Sequence, residues 1–218
     1  MSILDILLPL FPNIQGLLLK LILVLLLFFS LNADEIENKY SLRVAYGTAS
    51  QNDLGDIISG DFGTHPRDLS VYSLDGGYLL KKEIFDWPLD IYLKGGLSYF
   101  DEDHFEDMFE ATIYLKAYLN LDFWENRVRI GAAEGVSYAS SVPEAEVEEA
   151  TAEGDKTSKF LNYLDLSIDF DLGKLIRYKP MQETYIGYAL KHRSGVFGLY
   201  NGVHGGSNYN MLYLEKNF

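Results

Sequence analysis

Two side chains able to do chemistry together stand at the end of one alternating run. In ETYIGYALKHRS (183–194), His192 and Ser194 are two residues apart, and Thr184, Ile186, Tyr188 and Leu190 precede them at the same parity. In a β-strand, residues i and i+2 point the same way, so imidazole and hydroxyl would sit side by side on a mainly apolar face. A histidine that takes a proton from a neighbouring serine is the minimum for an activated oxygen nucleophile. The pair alone is a weak signal, because His-x-Ser on a strand is usually inert. Its surroundings decide the matter.

Those surroundings are built from alternating segments of about ten residues. They fall at 39–48, 69–82, 89–99, 110–120, 127–138 and 164–172, then in the run bearing His192, and finally at 208–218. The sixth is the clearest, with Leu164, Leu166, Ile168, Phe170 and Leu172 alternating with Asp165, Ser167, Asp169 and Asp171. One face of the set is apolar and aromatic throughout. The other collects Arg43, Asp75, Lys81, Asp90, Lys94, Lys116, Arg129, Asp165, Asp169, Lys191 and Arg193. Charges of both signs can pair inside a narrow barrel whose outside meets lipid. The expected fold is therefore all-β, an eight-stranded antiparallel up-and-down transmembrane β-barrel. A soluble lipocalin-like barrel, apolar within, would have fewer aromatic residues at its strand ends and less segregated loop lengths.

Connections alternate between short (83–88, 122–127, 173–183) and long (49–68, 101–108, 140–159, 195–206). In outer-membrane barrels the short turns and both termini are periplasmic and the long loops external. Phe218, with Leu214 and Leu212 of matching parity, suits the last strand of such a barrel, although Lys216 interrupts the pattern. Tyr40, Trp87, Tyr99, Trp124 and Tyr138 read as interfacial belts.

Composition agrees. The 218 residues include no cysteine and carry a formal charge of −14, which excludes disulfide staples and thiolate metal sites and disfavours nucleic acid as a partner. Lys20, the apolar run from Leu21 and the small Ala33 predict a secretory signal over residues 1–33, leaving 34–218 as the barrel. The first 19 residues are long for a signal's basic region, so translation starting further downstream is an alternative. The acidic runs at 101–107 and 144–149 are read as solvated loops rather than Ca²⁺ sites. No nucleotide, zinc or phosphate-loop motif is found, and no metal or other cofactor is expected.

In that topology His192 and Ser194 reach the outer-leaflet end of strand seven, on the lipid side. Lipid A of lipopolysaccharide, with its ester-linked acyl chains, would then be both solvent and substrate. Taken with the glycine-rich loop and the ten-residue final strand, the pair makes the chain resemble the lipid A 3-O-deacylase (PagL-like) family. HRSGVFG…GGSNYN also resembles sequences labelled acyloxyacyl hydrolases. The resemblance implies a metal-free outer-membrane ester hydrolase acting on lipid A, with Ser194 as nucleophile and His192 as general base.

Two departures stand out. Where the family has Asn after the serine this chain has Gly195, offering only a backbone N–H for an oxyanion. The family's acid at the start of the last strand is missing from Gly206-Ser207-Asn208. Glu134 is the nearest carboxylate in sequence, either as a displaced acid on the lipid face or turned inward by a bulge near Gly131 or Gly135. The first option is awkward, because strands five and seven are not neighbours. Asn208 or Asn162 could orient His192 without charge. A non-catalytic small barrel with acidic external loops is the competing reading. A homodimer is left open.

Overall fold

The computed structural model describes residues 38–218; the expected signal segment lies outside the described residues. Eight strands close into a barrel in sequence order. They are β1 (Tyr40–Ser50), β2 (Ser70–Lys81), β3 (Leu89–Asp101), β4 (Met108–Phe123), β5 (Asn126–Ala139), β6 (Phe160–Asp171), β7 (Thr184–Ser194) and β8 (Gly206–Asn217). Each pairs antiparallel with its neighbours, and β8 closes on β1 through the register Val44↔Leu214. Closure leaves no strand edge unpaired, as a structure in lipid demands.

Alternation sorts the side chains largely as expected, but Lys81, expected inside, is exposed because a register shift between Leu79 and Lys81 pairs it with Ile91 of the outer face. Leu97, Ile113, Ile130, Ile168, Ile186 and Leu212 face outward and are exposed, while Phe85, Trp87, Trp124 and Phe218 form an aromatic rim at the end holding both described termini. Inside, six buried cations, Arg43, Lys94, Lys116, Arg129, Lys191 and Arg193, meet Asp75, Glu110, Asp165, Asp169 and Glu215. Arg129 holds Asp169 bidentately at 2.9 and 2.8 Å, and Arg43 bridges Asp75 at 3.2 Å and Asp165 at 2.8 Å. Lys94 reaches Glu215 at 2.5 Å. Such pairs survive burial because each ion has hydrogen-bonding partners that replace water.

The sixth lumenal carboxylate comes from outside the sheet. The connection from β5 to β6 contains a helix, α2 (Glu144–Glu153), following a shorter one, α1 (Leu54–Ile58), in the β1–β2 connection. Glu146 drops from α2 into the barrel mouth and pairs with Arg193 at 2.7 Å, while Glu144 is buried against Arg67. This corrects the reading of 144–149 as a solvated loop: two of its four carboxylates are buried, Glu146 sharing Arg193 with Glu110, and Glu144 held by Arg67 and by the Asp103 and His104 amides. Among the described residues no three His, Cys, Asp or Glu side chains converge as a metal would require.

Glu102, in the β3–β4 loop, is buried under the same lid and accepts from the Glu144 amide at 3.2 Å. Burial, reinforced by the nearby Glu144 and Glu146 carboxylates, pushes its pKa up to about 7. A carboxyl raised in the folded state binds more protons than the unfolded chain between its ordinary value and 7, so the lid loses stability as pH rises through that window. Proteolysis of residues 140–159 is expected to be slower at pH 5 than at pH 8, and Glu102→Gln to abolish the difference. Equal rates in the wild-type chain would refute the assignment.

Candidate active site

Strand β7 rises from the rim that holds the termini to the end that holds the long loops. Its odd residues Tyr185, Ala189, Lys191 and Arg193 are buried inside, whereas Ile186 on the even face is 48% exposed. His192 and Ser194 share that outer face, at the loop end, as alternation predicts. They are half-buried.

Cross-strand registers then gather polar groups around them. One row reads Glu134, Leu164, His192, Asn208 across β5 to β8; the next reads Val136, Asn162, Ser194, Gly206. Directly paired residues on one face lie within side-chain reach. His192 Nδ1 is 2.7 Å from Asn208 Oδ1. The other end of that amide, Nδ2, donates to the Asn52 carbonyl at 3.0 Å. An inverted amide would set two acceptors against each other there, so Oδ1 must face the ring and Nδ1 must carry the proton. Nε2 is thereby left with its lone pair, the state a general base needs. No hydrogen bond joins the ring to Ser194 among the described residues; the pair is related by the i, i+2 geometry of one strand face.

Asn162, beside Ser194, donates through Nδ2 to Glu134 and, at 3.4 Å, to the Gly135 carbonyl. No register shift interrupts β5, so the bulge that would have turned Glu134 inward is absent and its side chain is outside. Although β5 and β7 are not neighbours, Glu134 lies in the His192 row and close enough to act on the imidazole electrostatically. The obstacle raised by strand order remains for direct contact: the Glu134 carboxylate is held by Asn162 over β6, and no hydrogen bond joins it to His192 among the described residues.

Gly195 requires a correction. Its amide donates to the Gly205 carbonyl at 3.1 Å, because the β7–β8 ladder continues one step past Ser194↔Gly206, and it is not free for an oxyanion. Its lack of a side chain has another cause: an added Cβ would lie 1.9 Å from the Val203 carbonyl oxygen. Val196 (φ 48°) and Phe197 (φ 54°) follow in the left-handed region, which is costly for a β-branched residue. Among the described residues their amides donate to nothing, which makes them the first uncommitted backbone donors after Ser194. Sequence could not have marked them, since neither residue type favours that conformation.

A cleft of about 310 Å³ opens beside this cluster, between the β1–β2 connection and α2. Ser50, Asn52, His65, Glu149, Ser207 and Asn208 are among its walls.

The apolar wall, aromatic rim, paired ionic lumen and one-sided long loops define a membrane-spanning barrel of the bacterial outer-membrane type. Among solved structures, the chain is similar to the outer membrane enzyme PagL at 12% identity, over 82% of this chain and 99% of that one, with a TM-score of 0.58. It is also similar to the N-terminal β-barrel domain of Pseudomonas aeruginosa OprF (10% identity, 84% and 98% coverage, TM-score 0.48) and to Neisserial surface protein A (11%, 84% and 98%, 0.47). At these identities the likeness is one of fold. No protein-family model and no curated protein matches the sequence.

Proposed function

We propose that the protein is an ester hydrolase that removes an ester-linked acyl chain from lipid A in the outer leaflet. The observation that carries this reading is His192, locked by Asn208 as the Nδ1–H tautomer, beside Ser194 on the lipid-facing wall. A polar pair on that wall is costly for a merely structural strand. It suits a substrate that is itself part of the surrounding membrane.

In this reading the Ser194 hydroxyl attacks the ester carbonyl as its proton passes to His192 Nε2. The C–O bond then breaks, and His192 returns the proton to the departing sugar oxygen. Water, deprotonated by His192, hydrolyses the acyl-serine and releases the fatty acid. Asn208 keeps its hydrogen bond to Nδ1–H throughout, and Glu134 supplies the negative charge that favours the transient imidazolium. The Val196 and Phe197 amides are the donors for the developing oxyanion, the task that Gly195 cannot perform.

Mass spectrometry of lipid A from cells expressing the chain tests the proposal. Loss of one acyl chain relative to cells carrying an empty vector is expected. Unchanged lipid A, with the barrel folded in the outer membrane, would favour the non-catalytic reading.

A further inference from the structure

The outer wall of β7 is not uniformly open to lipid. Ile186 is 48% exposed, yet Leu190, at the same parity and one turn of the pleat below His192, is only 3% exposed. The cover is the β1–β2 connection, which folds back over the sheet instead of standing clear of it. Phe62 stacks edge-on against Tyr188 with ring centroids 5.4 Å apart. Its carbonyl accepts from Asn210 Nδ2 at 2.7 Å, and Asn210 Oδ1 in turn accepts from Tyr188 at 2.6 Å.

The same segment is stitched internally toward one atom. Ser50 Oγ donates to the Phe62 carbonyl and accepts from the Asn52 amide, at 3.0 and 3.1 Å. Asn52 Nδ2 holds the Asp61 carbonyl at 3.0 Å. Gly63, with φ +48°, packs so closely that an added Cβ would lie 2.5 Å from the Asn52 side chain. All of this fixes the Asn52 carbonyl, the acceptor that orients Asn208.

We propose that residues 51–63 are a positioning flap, which through the Asn52 carbonyl holds the Asn208 amide in one orientation and so sets the tautomer of His192. This rests on the hydrolase reading of His192 and Ser194. Without that carbonyl the amide can invert and present its N–H₂ to Nδ1. The ring then carries its proton on Nε2 and has no lone pair for Ser194. The flap also accounts for a neutral amide at position 208: a carboxylate would accept from His192 equally well but would face the Asn52 carbonyl with a second acceptor. The amide satisfies both neighbours.

The test is ¹⁵N NMR of the histidine rings in the full chain in detergent micelles, with His192 assigned by its loss in His192→Gln. The wild type is expected to show one Nδ1–H tautomer, and Phe62→Ala and Gly63→Val a mixture with at least a third Nε2–H. In deacylation assays each variant is expected to lower kcat about tenfold, with KM changed less than twofold. Phe62→Ala is expected to cost nothing further in an Asn208→Ala background. Unchanged tautomers in both flap variants, or multiplicative losses in the double variant, would overturn the proposal. Absence of activity in the wild type, or full activity in Ser194→Ala, would instead overturn the hydrolase reading, and the tautomer measurement would still decide the flap.

Discussion

Ser194→Ala is expected to lower the rate of fatty-acid release from lipid A by about 10³-fold or more, with the barrel intact. The size of the effect follows from covalent catalysis: without the hydroxyl no acyl-enzyme forms, and His192 can only activate a water that nothing positions. His192→Gln is expected to cost a similar factor, because an unassisted serine hydroxyl is a poor nucleophile near neutral pH. The double variant is expected to be no slower than either single one, since the two groups act as a unit. Initial rates in lipid–detergent micelles, with heat-modifiable electrophoretic mobility as the check on folding, provide the comparison. A tenfold loss or less on removing the hydroxyl would mean that another group does the chemistry. Multiplicative losses would mean that the two side chains act separately.

Asp165→Ala is expected to destabilise the barrel by about 3–5 kcal/mol, the usual cost of stranding one member of a buried ion pair. Asp165 is the acid paired with Lys116 and also accepts from Arg43 and Tyr163. Both Asp165 and Lys116 are buried among the strands. Arg43 keeps Asp75 when Asp165 is removed, but Lys116 then has no carboxylate partner among the described residues. With a slope of about 2 kcal/mol per molar urea, the unfolding midpoint should fall by roughly 2 M. Lys116→Met with Asp165→Leu is expected to recover most of the loss, because a packed apolar pair carries no desolvation penalty. Tryptophan fluorescence during urea titration in lipid vesicles measures both. A shift of less than 0.5 M for Asp165→Ala would show that the lumen is wet enough to solvate a lone ammonium.

Much of this molecule is legible along the chain. The strict alternation of 164–172 identifies β6 to within a few residues: the observed Phe160–Asp171 starts four residues earlier and stops before Leu172, which begins a short helical turn. Parity alone places His192 and Ser194 outside, and loop lengths alone place them at the external end. Less legible are the groups around them. Asn208 is 16 positions from His192, and Asn52 is 156 from Asn208, so no local pattern links the three. The acidic run at 144–149 reads as solvent-facing because composition says nothing of the arginines beneath it. The Gly195 amide reads as free because nothing nearby shows where the hairpin ladder ends.

Alternation, charge and turn spacing determined by themselves that this chain forms a barrel with a greasy wall, an ionic interior and an imidazole–hydroxyl pair on the wall's outer rim. These are properties of single strands, set by the two-residue repeat of the pleat. Only the closed tertiary structure decided which amide holds the ring, that Glu134 shares its row, that Gly195 is spent, and that a flap from the first connection seats against the seventh and eighth strands. Those contacts depend on the stagger between strands and on where long connections land, which cross-strand hydrogen bonds and packing settle over the whole circumference at once.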